Sequence, residues 1–178
     1  ESVVKKQTFH TLAYVLIDKG VGTSFIFNHE FYRGANGGAG KMYQLGRYGA
    51  DLTYNDLITN YPSLFAHLTL YDALDKYIEI GLQGTHIELR DKMDFMIDHI
   101  ATYFASVLQL LDIEKMIISG WLTRNEEFFQ RLCSQIHYKE LAVNNPTILE
   151  APYWQNNGIA VGAAIMGIYQ MKQLEQNV

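Results

Sequence analysis

Two short runs near the start of the chain carry β-branched and aromatic residues between polar breaks, "TLAYVLID" (Thr11 to Asp18) and "GTSFIFN" (Gly22 to Asn28). The glycine-bearing "KGV" separates them, so the pattern predicts a β-hairpin. "HE" then turns the chain into a third short strand, "FYRG", completing an antiparallel meander. Beyond Thr53 the period changes from two to that of a helix. "TYNDLITNYPSLFAHLTLYDALDKYIEIGL" predicts two or three short helices, with Thr53 as an N-cap and Pro62 as a boundary. The clearest helix follows in "HIELRDKMDFMIDHIATYFASVLQLLD". There Met93, Met96, Ile97, Ile100, Tyr103, Phe104, Val107, Leu108 and Leu111 fall on one face over several turns, and that face is expected to lie against the sheet.

The second half repeats strand and helix. "EKMIISGWLT" (Glu114 to Thr123) predicts a buried strand running into a glycine turn. "NEEFFQRLCSQIHYKEL" predicts a helix opened by Asn125 with acidic residues in its first turn. "PTILEAP" predicts a last strand. "NNGIAVGAAIMGIYQMKQLEQN" predicts a closing helix whose Gly158, Gly162, Ala163, Ala164 and Gly167 form a small-residue face. Strand and helix in alternation imply parallel, right-handed connections beside the meander. The expected class is α/β, a mixed sheet of antiparallel meander and parallel strands flanked by helices, forming a single unit over residues 1–178.

Composition narrows the function. The 178 residues are 48% hydrophobic, enough for one sizeable core. No stretch approaches the ~18 uninterrupted apolar residues of a membrane span, and "ESVVKKQTFH" lacks the apolar centre of a signal peptide, so a cytoplasmic setting without membrane contact is expected. A net charge of −5 without a Lys/Arg cluster argues against direct nucleic-acid contact from this segment. Cys133 is the one cysteine, so no internal disulfide and no multi-cysteine zinc site can form. It sits four residues before His137 on a predicted helix, which reads as core packing rather than a catalytic pair. His67, His86 and His99 show no metal-ligand spacing.

One stretch stands apart. "FYRGANGGAGKMYQLG", Phe31 to Gly46, holds five glycines and no proline, the composition of a tight turn or of a ligand-facing loop. Asn36 within it reads either as a turn-forming residue or as an amide able to donate and accept towards a hydroxylated ligand. Arg33 reads as a loop anchor, and Tyr32 is expected to pack under the loop.

The order of "IDKGVGTSFIFNHEFYRGANGGAGKM", "IISGWLT" and "NNGIAVGAA" resembles the C-terminal lobe of the ROK family, named for repressors, open reading frames and kinases. The resemblance covers nearly the whole chain. It implies the actin-like or ribonuclease-H-like fold of sugar kinases, and it makes "RGANGGAG" similar to the family's sugar-side loop. It also implies that this is a C-terminal half. Full-length members have an N-terminal lobe with a phosphate-binding loop and the catalytic aspartate, and repressor members add a winged helix-turn-helix.

Set against the family, the functional positions are altered. Where kinase members carry Gly-Thr-Gly in the first hairpin, this chain has Asp18-Lys19-Gly20, similar to the sugar-responsive repressors; a carboxylate there repels a phosphate, and Lys19 partly offsets it. The adenine-side Gly-Gly-Gly turn is matched by Ser119-Gly120-Trp121. Trp121 reads either as an indole at the adenine position or as a core or interface anchor. The sugar-binding Glu-x-Gly-His is matched by Lys41, Met42, Tyr43 and Gln44, so an acceptor is replaced by a donor. The cysteine-rich zinc loop is matched by "LGRYGADLTYND", which has no thiolate.

The resemblance thus implies an effector-binding and dimerising half of a sugar-responsive ROK regulator. Its ligand loop would comprise Asn36, Gly37, Gly38, Lys41 and Gln44, and its degenerate nucleotide side Lys19, Gly20, Gly120 and Trp121. Expected partners are a sugar or sugar-phosphate effector and a second copy of the chain, with no metal or cofactor in this segment. The alternatives are a divergent ROK sugar kinase, which would bring ATP and magnesium, and an interaction domain that keeps the fold for dimerisation only.

Overall fold

The computed structural model describes residues 9–141 and 146–153. The predicted closing helix from "NNGIAVGAA" onward lies outside the described residues. Strands β1 (Thr11–Ile17) and β2 (Val21–Phe27) pair antiparallel, and β3 (Glu30–Tyr32) continues the meander through Phe25 opposite Tyr32. The β2–β3 turn is made by Asn28 and His29, both at positive φ (49° and 69°), as a two-residue turn matching the strand twist requires.

β4 (Lys115–Gly120) and β5 (Ile148–Glu150) extend the sheet on the other side. Both connections are parallel, β1 to β4 and β4 to β5, giving the order β3-β2-β1-β4-β5. β4 is buried at five successive positions, as expected of a central parallel strand covered on both faces.

Helices fill the segments between. A 3₁₀ turn spans Tyr43–Tyr48 and leads into α1 (Ala50–Asn60); α2 (Pro62–Phe65) starts on its proline, and α3 (Leu70–Gln83) stops at Gly84 in the left-handed region. α4 (Ile87–Leu111) is the long amphipathic helix, and α5 (Glu126–Glu140) opens on Asn125, whose side chain accepts from the Phe128 amide at 3.0 Å. Met96, Ile100, Phe104 and Leu108 of α4 share one continuous buried cluster with Ala13, Val15 and Ile17 of β1 and Ile118 of β4.

Thr53 is not the N-cap that its type and place predict. α1 begins three residues earlier, after Gly49, because the Ala50 amide is held at 2.6 Å by the carbonyl of Asp18 in the β1–β2 turn. Thr53 is an interior helix residue, buried, with its amide on the Gly49 carbonyl at 3.0 Å.

Candidate functional site

The parallel register sets Ile17 opposite Gly120, so the β1–β2 turn and the end of β4 meet at one edge of the sheet. This is the carboxyl end of two parallel strands, where open α/β sheets bind ligands. Lys19, Gly20, Gly120 and Trp121 are therefore brought together. Lys19 and Gly20 are exposed. Gly120 has φ 104°, and a Cβ on it would lie 2.0 Å from the Ile17 carbonyl oxygen, so this glycine exists for the crossing of two backbones.

Trp121 faces inward. It is 1% exposed, stacks near Phe128 with ring centroids 6.4 Å apart, and donates its indole N–H to the Tyr48 carbonyl at 2.8 Å. Of its two readings, the core anchor is the one this geometry supports. A short 3₁₀ turn, Trp121–Thr123, carries the chain on, closed by the Thr123 hydroxyl on the Gly120 carbonyl.

Around this turn lies a network that no sequence signal marks. The Tyr71 phenol of α3 donates to Asp18 Oδ1 at 2.9 Å. The Arg124 guanidinium stands 5.1 Å over the Tyr71 ring and holds both carboxylate oxygens of Asp75, at 2.9 and 2.6 Å. Burial first, then the hydrogen bond and charge of Asp18, push the Tyr71 phenol above its ordinary pKa. The Asp75 hydrogen bonds push Arg124 up as well. Asp18 thus has both its carbonyl and its carboxylate engaged by the protein.

The glycine-rich segment runs back from β3 to this same turn. Gly34, Gly37 and Gly40 all take positive φ, and Gly37 and Ala39 donate to the carbonyls of Gly34 and Arg33. At Gly40 a Cβ would lie 2.1 Å from the Thr23 carbonyl oxygen, so the loop is laid directly on β2. Asn36, Gly37, Lys41 and Gln44 are exposed and Gly38 is half-buried. Lys41 folds back so that its Nζ lies 3.9 Å from where a Cβ on Gly38 would be. Tyr32, expected beneath the loop, instead stands 56% exposed on the edge strand with its ring edge-on to Phe27.

Where a cysteine-rich loop would sit, packing supplies the order. Leu45, Tyr48, Ala50 and Leu57 are buried in the main core. The Tyr48 phenol and His99 Nδ1 share a hydrogen bond of 2.6 Å, and burial raises the phenol's pKa. Cys133 is buried with its thiol pushed up to about 12, which fits the core reading. Among the described residues no three His, Cys, Asp or Glu side chains gather in a way that could hold a metal ion, and no helix is long and apolar enough to cross a membrane.

No family model and no curated protein matches the sequence. Solved structures do match the fold. A ROK family protein from Streptococcus pneumoniae in complex with sucrose superposes with a TM-score of 0.76 at 17% identity, over 97% of this chain and 63% of that one. A ROK hexokinase from Thermus thermophilus gives 0.74 at 13% identity, over 94% and 60%. A ROK transcriptional regulator homologous to the E. coli MLC protein gives 0.59 at 14%, over 82% and 43%. The chain therefore has the actin-like sugar-kinase fold of the ROK proteins, and it spans about three fifths of the length of the first two structures.

Proposed function

We propose that this chain is the effector-binding and dimerising C-terminal half of a ROK-type transcriptional regulator, cytoplasmic and not itself catalytic, which responds to a sugar-derived ligand. The observation that carries this reading is the state of Asp18. In the turn that a kinase would use for phosphates, a carboxylate is fixed by Tyr71 while the first amide of α1 is spent on the Asp18 carbonyl. Phosphoryl transfer depends on positioned donors and neutralised charge, and this turn offers an acceptor instead. Trp121, buried at the adenine-side turn, supports the same reading.

A sugar kinase is the second reading, favoured by one fact: the hexokinase superposes better than the regulator, 0.74 against 0.59. One experiment separates them. The full-length protein is incubated with ATP, magnesium and a panel of hexoses and amino sugars, with ADP release and thermal shift read in parallel. A sugar-dependent rise in melting temperature without ADP release supports the regulator. Sugar-dependent ADP release overturns it in favour of the kinase. Sedimentation of the same sample tests the dimer.

A further inference from the structure

We infer that Asn36 is a self-modification site, where the Gly37 backbone nitrogen attacks the Asn36 side-chain amide and leaves aspartate or isoaspartate in the glycine-rich loop. The reaction needs only water and hydroxide, and it is independent of what the loop binds.

The first support is the residue pair and its setting. Of the described asparagines, Asn28, Asn36, Asn55, Asn60 and Asn125, only Asn36 is followed by glycine. A residue without Cβ leaves its own nitrogen unobstructed and lets the backbone reach the angles that ring closure requires. Asn36 and Gly37 are both exposed, and a Cβ on Gly37 would meet nothing within 4 Å. The turn has room to rearrange.

The second support is how loosely the reacting groups are held. The Asn36 side chain makes no hydrogen bond among the described residues. The Gly37 amide donates to the Gly34 carbonyl at 3.4 Å, a weak contact by the standard of backbone bonds. The other asparagines differ. Asn125 accepts from the Phe128 amide at 3.0 Å, Asn60 donates to Asp56 at 3.0 Å, Asn55 lies inside α1, and Asn28 precedes the bulkier His29.

Once the Gly37 N–H gives its proton to hydroxide, the nitrogen attacks Asn36 Cγ. The N–Cγ bond forms, the Cγ–Nδ2 bond breaks, and Nδ2 takes a proton from water and leaves as ammonia. Water then opens the succinimide ring at either carbonyl, giving aspartate or, with the chain rerouted through the side chain, isoaspartate. Residues 31–50 hold Arg33, Lys41 and Arg47 and no Asp or Glu, so the product brings the first carboxylate into the loop. It also turns an amide that donates and accepts into a group that only accepts.

The test holds the full-length protein, folded, at neutral and at mildly alkaline pH and samples it over days. Trypsin cuts after Arg33 and Lys41, so the peptide from Gly34 to Lys41 carries Asn36 as its one asparagine. Its mass reads conversion against a zero-time digest, and labelling by isoaspartyl methyltransferase reads the isoaspartate share. The synthetic peptide GANGGAGK in the same buffer gives the unrestrained rate. Expected is conversion in the folded protein within about tenfold of the peptide's rate, and about tenfold or more faster than at the other described asparagines. It should rise with pH, yield isoaspartate, and be absent at this position in Asn36→Gln. An intact Asn36 in the folded protein while the peptide converts overturns the inference, because the fold then withholds the Gly37 nitrogen. Conversion to aspartate alone overturns it as well, because direct hydrolysis of the side chain makes no isoaspartate.

Discussion

The phenol of Tyr71 donates a 2.9 Å hydrogen bond to the carboxylate of Asp18, across 53 residues of sequence, and ties α3 to the turn between β1 and β2. Removing only that hydroxyl, as Tyr71→Phe, leaves the ring under Arg124 in place. The expected loss is about 1 kcal/mol, the net worth of one such bond. For a domain of this size that is a fall in Tm of roughly 2–4 °C. Combining it with Asp18→Asn should cost less than the sum of the two single losses, which a double-mutant cycle by urea unfolding reads directly.

Trp121→Phe removes the donor to the Tyr48 carbonyl and leaves a smaller ring in a closed core. The expected cost is about 2–4 kcal/mol, from an unpaired buried carbonyl and the volume lost. If the indole served a nucleotide instead, the substitution would change ATP-induced thermal shift with little effect on stability. Chemical denaturation with and without ATP distinguishes the two outcomes.

Two neighbouring glycines should respond in opposite ways. Gly120→Ala forces a Cβ into the Ile17 carbonyl at a φ of 104°, and a loss of at least about 2 kcal/mol is expected. Gly20→Ala meets nothing within 4 Å and should stay within about 0.5 kcal/mol of the parent. Equal losses in thermal melts would mean that the end of β4 does not cross β1 as described.

Burial raises the Cys133 thiol from its ordinary 9.0 to about 12, so the folded protein keeps a proton that the unfolded chain releases. Stability from this source is fully present below pH 9 and is lost as pH rises towards 12, because folding then requires proton uptake. At pH 10 the loss amounts to about 1.4 kcal/mol. Urea unfolding at pH 8 and pH 10, for the native protein and Cys133→Ala, should show this part of the slope only when the thiol is present.

Much of the architecture was legible in the chain because its signals are local. The paired strands carry alternating or continuous apolar runs, α4 repeats its apolar face for 25 residues, and Asn125 caps α5 through an amide three residues away. The failures share a cause. Thr53 looks like a cap, but the start of α1 is fixed by a carbonyl from Asp18, remote in sequence. The Tyr71, Arg124 and Asp75 network joins two elements 49 residues apart or more, and none of these residue types is unusual where it stands. The glycine loop was visible by composition, whereas the crossing of Gly40 over Thr23 follows only from three-dimensional approach.

Among the described residues, the two rim strands of the sheet, β3 and β5, are three residues long, beside central strands of six and seven. A stranger's extended backbone gains only one or two hydrogen bonds from so short a rim, too few to offset the entropy of docking. The sheet is thereby protected against runaway strand addition by brevity alone, and concentrated solutions of the protein should remain free of cross-β assemblies.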